Sequence, residues 1–141
     1  EWLSEYEVPA HGGNEGFTSH GTESVRGVGQ LFVQLEGRGD MGGAPHHSVM
    51  TIGFDLRRGR FVGSWVGSMM DHHWVYDGEF EQGGTAVGLI AEGPDFNDPT
   101  KMGTYKDTVA LHADGTRTLT AHFKLPDGTW QQFMHTVYRR A

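Results

Sequence analysis

The sequence predicts an all-β fold, a closed antiparallel up-and-down β-barrel of about eight to ten strands. Short segments in which apolar and polar residues alternate recur along almost the whole chain, which is the period of a strand with one covered face. Glycine supplies 22 of the 141 residues, against a usual share of ~7%. The glycines lie between the alternating segments, where turns, bulges and bends need them. No window keeps a helical period, and the connections are short enough for a meander. So many strands leave exposed edges unless the sheet closes on itself, and a barrel of that size has room inside for a ligand. Two packed sheets are the alternative architecture.

In chain order, residues 2–8 read as the first strand and 9–16 as a turn region. Residues 17–26 alternate, with Phe17, Gly21, Glu23 and Val25 on one parity. Leu31, Val33 and Leu35 face inward against Phe32, Gln34 and Glu36, and residues 37–45 follow as a loop. Ser48, Met50, Ile52 and Phe54 make the next inward row, ended by a turn at 55–59. Residues 60–78 form a hairpin with its turn at Met70-Asp71, and Gly83-Gly84 turns the chain again. Residues 85–91 are a strand and 92–101 a longer loop containing Pro94 and Pro99. Tyr105, Asp107, Val109 and Leu111 face inward against Thr104, Lys106 and Thr108. Leu119, Ala121, Phe123 and Leu125 do so on the following strand. Asp114-Gly115 and Asp127-Gly128 are strong hairpin signals, and residues 130–139 close the sheet.

The hairpin of residues 60–78 carries the most chemistry. It holds two of the four tryptophans, two histidines and two methionines, with no charge between Arg60 and Asp71. On its second strand Asp77, Glu79 and Glu81 share a parity with His73 and Val75. Burying these carboxylates unpaired would cost several kcal/mol each, so that row faces water and His72, Trp74, Tyr76 and Phe80 face inward. Trp65 and Met69 join them from the first strand, and the flanking Gly63 and Gly67 read as lumen volume left around the indole. Glu23, Tyr105 and Asp107 are polar residues on otherwise apolar inward rows. Taken singly, each reads better as a buried group satisfied by its neighbours. Together, apolar walls with a few convergent polar groups have the composition of a ligand pocket. The candidate ligand-binding set is therefore Glu23, Trp65, Met69, His72, Trp74, Tyr76, Tyr105 and Asp107.

Composition removes several classes. A net charge of -7 with scattered arginines argues against a nucleic-acid surface, which needs clustered cations. The absence of cysteine removes disulfides, thiol nucleophiles and thiolate metal sites and fits a reducing compartment. No apolar run is long enough for a membrane-spanning helix, and no secretory leader is recognised. The start at Glu1-Trp2 leads us to expect that a native N-terminal segment has been trimmed. The nine histidines show no His-x-His or His-Glu-x-x-His spacing, and the pairs His46-His47 and His72-His73 split across a sheet, so no metal site is expected. His122 shares a parity with Thr118, Thr120 and Lys124 and is expected in solvent. Arg38-Gly39-Asp40 reads as a turn. There is no Gly-x-Ser-x-Gly elbow and no phosphate-binding glycine pattern.

Several stretches carry a family resemblance: Gly21-Thr22-Glu23-Ser24-Val25-Arg26, Met50-Thr51-Ile52-Gly53-Phe54-Asp55, and Gly59 through Met70 with its Gly-Ser-Trp-Val-Gly-Ser-Met-Met run. His72, Trp74-Val75-Tyr76, Gly78, Glu92-Gly93-Pro94, Tyr105 with Asp107, Gly128-Thr129-Trp130, Phe133-Met134 and Tyr138-Arg139-Arg140 continue it. The chain resembles a bacterial family of uncharacterised domains grouped with the calycins, the superfamily of lipocalins and fatty-acid-binding proteins. The resemblance covers nearly the whole chain and implies a calycin-type closed barrel but no particular activity. It also implies that Trp2 packs on Arg139 or Arg140 of the last strand. A haem held by one histidine, as in the nitrobindin barrel, is an alternative at the same level, with His72 or His135 as ligand.

We therefore expect residues 1–141 to form a single cytoplasmic β-barrel domain, without a cofactor, that binds a small, largely apolar molecule in its lumen. No nucleic-acid or membrane partner is expected. His72 beside a carboxylate also suits general acid–base chemistry, so an enzyme using lumen groups is the alternative.

Overall fold

The computed structural model describes residues 2–8, 17–41, 44–80 and 84–141. Its ten strands are β1 (Trp2–Val8), β2 (Phe17–Val28), β3 (Phe32–Met41), β4 (Ala44–Asp55), β5 (Arg60–Gly67), β6 (Trp74–Phe80), β7 (Ala86–Pro94), β8 (Met102–Leu111), β9 (Arg117–Lys124) and β10 (Trp130–Arg140). Each pairs antiparallel with its sequence neighbours, and β1 pairs with β10 to close the barrel. No helix occurs among the described residues. The alternation thus yields the up-and-down barrel and not two stacked sheets. The two Asp-Gly turns form as expected. Gly115 and Gly128 each take a φ of 88°, a conformation that costs glycine little. Asp114 and Asp127 each accept hydrogen bonds from the backbone N–H and the hydroxyl of the threonine two residues on.

Several boundaries differ from expectation. β3 runs to Met41 and β4 starts at Ala44, so most of the expected 37–45 loop is a ladder in which Gly37 faces Ser48 and Gly39 faces His46. Glycines carry no apolar alternation, so the strand period was invisible there. β7 continues through Glu92 and Gly93 to Pro94, which shortens the following loop to residues 95–101. β5 and β6 are joined by residues 68–73 and not by a tight turn at Met70-Asp71. Leu31, Val33 and Leu111, expected inward, are exposed; Leu31 and Leu111 stand beside the β2–β3 and β8–β9 turns at the barrel's end. The expected turn at 9–16, Gly83 and Glu81 lie outside the described residues.

The C-terminal ends of β1, β3, β5, β7 and β9 lie at the first end of the barrel, and those of β2, β4, β6 and β8 at the second. Toward the second end the interior is filled by Leu35, Met50, Ile52, Phe61, Leu89 and Val109, with Leu89 wholly buried. Toward the first end the interior is hollow.

The seam where β1 meets β10 is braced from inside. Arg117 and Glu23 are only 6% and 7% exposed, and the guanidinium is hydrogen-bonded to the carboxylate. The same guanidinium stacks 3.9 Å from the Tyr138 ring centre and 4.9 Å from that of Trp2. Arg140 covers Trp2 at 4.8 Å, the contact expected from the resemblance. Breaking a buried ion pair by removing one partner typically costs ~3–5 kcal/mol, because the other charge is left buried. Arg117→Ala is therefore expected to lower the urea unfolding midpoint by the equivalent of about 3–5 kcal/mol. Arg140→Ala, whose cation is exposed, should cost only ~0.5–1 kcal/mol. Comparable losses from the two variants would show that the buried pair does not hold the seam.

Candidate functional site

The hollow half of the lumen is a cavity of about 430 Å³, within the ~300–1,000 Å³ range of small-molecule sites. Its mouth lies at the first end, where Met69, Met70 and Phe96 combine exposure to solvent with a place on the cavity wall.

One side of the wall is aromatic. Trp74 on β6 meets Tyr105 on β8 edge to face at 5.0 Å, and Phe96 of the β7–β8 connection lies 5.1 Å from Tyr105 and 5.8 Å from Phe133 on β10. Such contacts are favourable beyond the area they bury. The Tyr105 hydroxyl donates to the Pro94 carbonyl at 2.8 Å, which ties the wall to the loop carrying Phe96. Gly93 makes room for Trp74, since a Cβ there would stand 2.2 Å from the indole. The Trp74 indole nitrogen is buried without a partner.

Trp65 lines the opposite side. A Cβ on Gly67 would meet its indole at 2.3 Å, and one on Gly63 would meet the Thr51 carbonyl at 2.0 Å. This corrects the expectation that these glycines leave free volume: Gly67 seats the indole itself, and Gly63 lets β4 and β5 approach closely. His46 stacks on Trp65 with ring centres 6.2 Å apart. Burial, and secondarily His47, lowers its pKa, so it is neutral at neutral pH. The sequence reading weighs His46 only as half of an adjacent histidine pair, although extending the inward row Ser48, Met50, Ile52 back by two residues points to it.

The polar groups meet at the floor. Tyr76 donates its hydroxyl proton to Asp107 at 2.5 Å. Burial raises the Asp107 carboxyl to about 6, against the opposing effect of the Tyr76 hydrogen bond. Burial, and then the neighbouring carboxylate, also pushes the Tyr76 phenol well above its ordinary value. Tyr138 and Thr136 border the same region, and burial raises the Tyr138 phenol as well. Glu23 reaches the floor but is engaged by Arg117. Its carboxyl is raised by burial, and Arg117 works in the opposite direction. Arg117 itself was not foreseen. Extending the inward row Leu119, Ala121, Phe123 back by two residues points to it, but the adjacent Asp-Gly turn drew that segment into a loop.

Of the expected set, Glu23, Trp65, Met69, Trp74, Tyr76, Tyr105 and Asp107 all border the cavity, and His72 does not. His72 precedes β6, lies edge-on to Trp74 at 4.8 Å and donates through Nε2 to the Glu92 carbonyl at 2.9 Å. Of the expected outer row, Val75 is 61% exposed, His73 is exposed and Asp77 half-buried, and the side chains of Glu79 and of Phe80, expected inward, lie outside the described residues. His135 is 3.1 Å from the Thr120 hydroxyl and also stands off the cavity wall, so neither histidine considered for haem borders the lumen. His122, expected in solvent, is half-buried on the outer face near Lys106. No cluster of three or more metal-ligating side chains occurs among the described residues.

The sequence matches one protein family over residues 1–140, described as "Protein of unknown function (DUF1579)". No curated protein matches it.

The floor makes stability depend on pH. An unfolded aspartate titrates near ~3.9, whereas Asp107 in the barrel titrates at about 6. Between those values the folded state holds the extra proton, so stability falls as pH rises through that window. Asp107→Asn keeps an acceptor for Tyr76 and cannot titrate. From about pH 4 to about pH 7, the unfolding free energy of the wild type should fall relative to that of the variant by up to ~3 kcal/mol, less to the extent that lumen water screens the charge. Urea titrations at the two pH values measure this, and an unchanged difference would refute the assignment.

Proposed function

We propose, for a chain that belongs to the family described as Protein of unknown function (DUF1579), that the barrel takes up a small, largely apolar molecule in its lumen. The observation that carries this reading is the half-filled interior. The cavity of about 430 Å³ opens at its mouth, so a small guest can enter it and replace water there. Aromatic walls favour an apolar guest over water, and the polar floor gives that guest an orientation. The calycin resemblance supports the same reading.

The surroundings of the barrel fit an aqueous setting. Its outward rows carry Arg26, Gln34, Glu36, Arg38 and Asp77, where a lipid-facing barrel carries an apolar band. No helix among the described residues is long and apolar enough to cross a membrane. A cytoplasmic carrier or binder without a membrane or nucleic-acid partner is the form this proposal takes. A second reading is proton transfer to or from the guest. It now rests on the Tyr76–Asp107 pair, since His72 is off the lumen, and on the Asp107 carboxyl at about 6, a value suited to general acid–base work near neutral pH.

Ala121 is buried and borders the cavity, so Ala121→Trp should fill the lumen from within. The wild type, stripped of copurified molecules, is expected to bind the neutral dye Nile red saturably. Ala121→Trp should weaken this by about tenfold or more, and His122→Ala on the outer face should leave it unchanged. Dye binding that survives Ala121→Trp, with the fold intact by circular dichroism, would place the dye outside the lumen and overturn the reading. Native mass spectrometry of the unstripped protein identifies the resident molecule and shows whether it is recovered unaltered.

A further inference from the structure

We infer that the guest carries a hydrogen-bond-donating, cationic head, an apolar amine by class, seated on Asp107, and that the lumen disfavours fatty acids and other apolar anions. This rests on the lumen-binding reading and adds the chemistry of the guest to it.

The charges around the cavity carry the argument. Two carboxylates, Glu23 and Asp107, border its deep part. The nearest guanidinium, Arg117, is already hydrogen-bonded to Glu23, lies between Tyr138 and Trp2, and does not border the cavity. The other basic side chains on the described part of the wall stand at the mouth. Arg38 is paired with Glu36 at 2.7 Å, and His20 lies 3.4 Å from Glu5. His46 is held neutral by burial and by His47. An anionic head reaching the floor would thus meet the uncompensated carboxylate of Asp107, with Glu23 already neutralised by Arg117 and no available cation, in a space where charges are poorly screened.

The hydrogen bonds point the same way. Tyr76 gives its proton to one oxygen of Asp107, which leaves the phenol oxygen able only to accept. The second Asp107 oxygen has no hydrogen-bond partner among the described residues, and Asp107 borders the cavity. The Trp74 indole nitrogen lacks a partner but is covered by protein atoms, so it offers a guest nothing. Beside the Tyr138 and Thr136 hydroxyls, which can donate or accept, the floor therefore presents Asp107 and Tyr76 as acceptors that call for a donor. An ammonium supplies three donors and a positive charge. The faces of Trp65, Trp74 and Phe133 on the wall attract a cation in addition to its apolar tail.

The test compares decylamine, decanol and decanoic acid, which share a tail and differ in the head, as displacers of Nile red at neutral pH. The amine is expected to displace the dye at about tenfold or more lower concentration than the acid, with the alcohol between them. Asp107→Asn should bring the amine to the level of the alcohol. An acid that matches or exceeds the amine overturns the inference, as does an amine preference that survives Asp107→Asn. Should that variant fail to fold, the ranking of amine and acid on the wild type decides alone. If all three displace equally, the head assignment falls and lumen binding stands. If the dye itself does not bind saturably, the lumen-binding reading falls and takes the head assignment with it.

Discussion

The buried pair of Arg117 and Glu23 is the constraint on which the barrel's closure rests. A meander of ten strands makes each new ladder with the strand just laid down, except the last, which must find the first. The β1–β10 ladder joins Trp2 to Arg140 and Glu7 to His135, with no short turn to fix its register. Arg117 on β9 reaches a carboxylate on β2 that is 94 positions away in sequence, so one contact spans four successive strands across the seam. A slip of one residue in either outer strand would turn one partner to the solvent side. A well-packed apolar replacement would often be as stable as such a pair. What the pair adds is intolerance of wrong registers, since a misregistered barrel strands a buried charge. Trp2 and Tyr138 sandwich the guanidinium and limit its movement, so the register is fixed on both sides of the seam.

The same interior is divided along the barrel axis. Leu89, with no exposed surface, faces Asp107 across the β7–β8 ladder. These two residues sit at the boundary between the filled and hollow halves. Below them Leu35, Met50, Phe61 and Val109 pack in the manner of an ordinary core. Above them large rings stand around the space instead of crossing it. Trp74, Phe96, Tyr105 and Phe133 brace one another edge to face, which keeps them from collapsing inward. The packed half supplies the stability that lets the other half stay open.

The strand period was legible wherever charge or bulk marked the faces. On β6 the row containing Asp77 and Val75 identified the outer face, and Trp74 and Tyr76 are inside accordingly. On β9 Leu119 and Ala121 alternate with Thr118 and Thr120, and the inward assignment holds. Legibility failed where side chains are missing: Gly37 and Gly39 left the β3–β4 ladder looking like a loop. It failed again at strand ends. Parity says which side of a sheet a residue faces but not its height along the barrel axis, so His72 was placed in a lumen whose wall begins at Trp74. Arg117 escaped because a turn signal two residues away outweighed the inward parity it continues. The polar floor was legible as a set of inward polar residues, but the pairing of Tyr76 with Asp107 and of Glu23 with Arg117 depends on which strands become neighbours through closure.

Closure and site chemistry are therefore not independent. Arg117 neutralises one of the two deep carboxylates and is covered in doing so, which removes the nearest guanidinium among the described residues from the reach of a guest. Asp107 is left with a phenol as its partner, and a phenol can relieve a buried carboxylate only in part. The result is a floor whose remaining acceptors are oriented but not fully satisfied, at the bottom of a wall rich in aromatic faces. An interior built only for stability would have an apolar side chain opposite Leu89 and no hollow above it. Asp107 at that position makes the barrel less stable at neutral pH than it would otherwise be, and a cost of that kind at the floor of a cavity is the usual mark of a functional group.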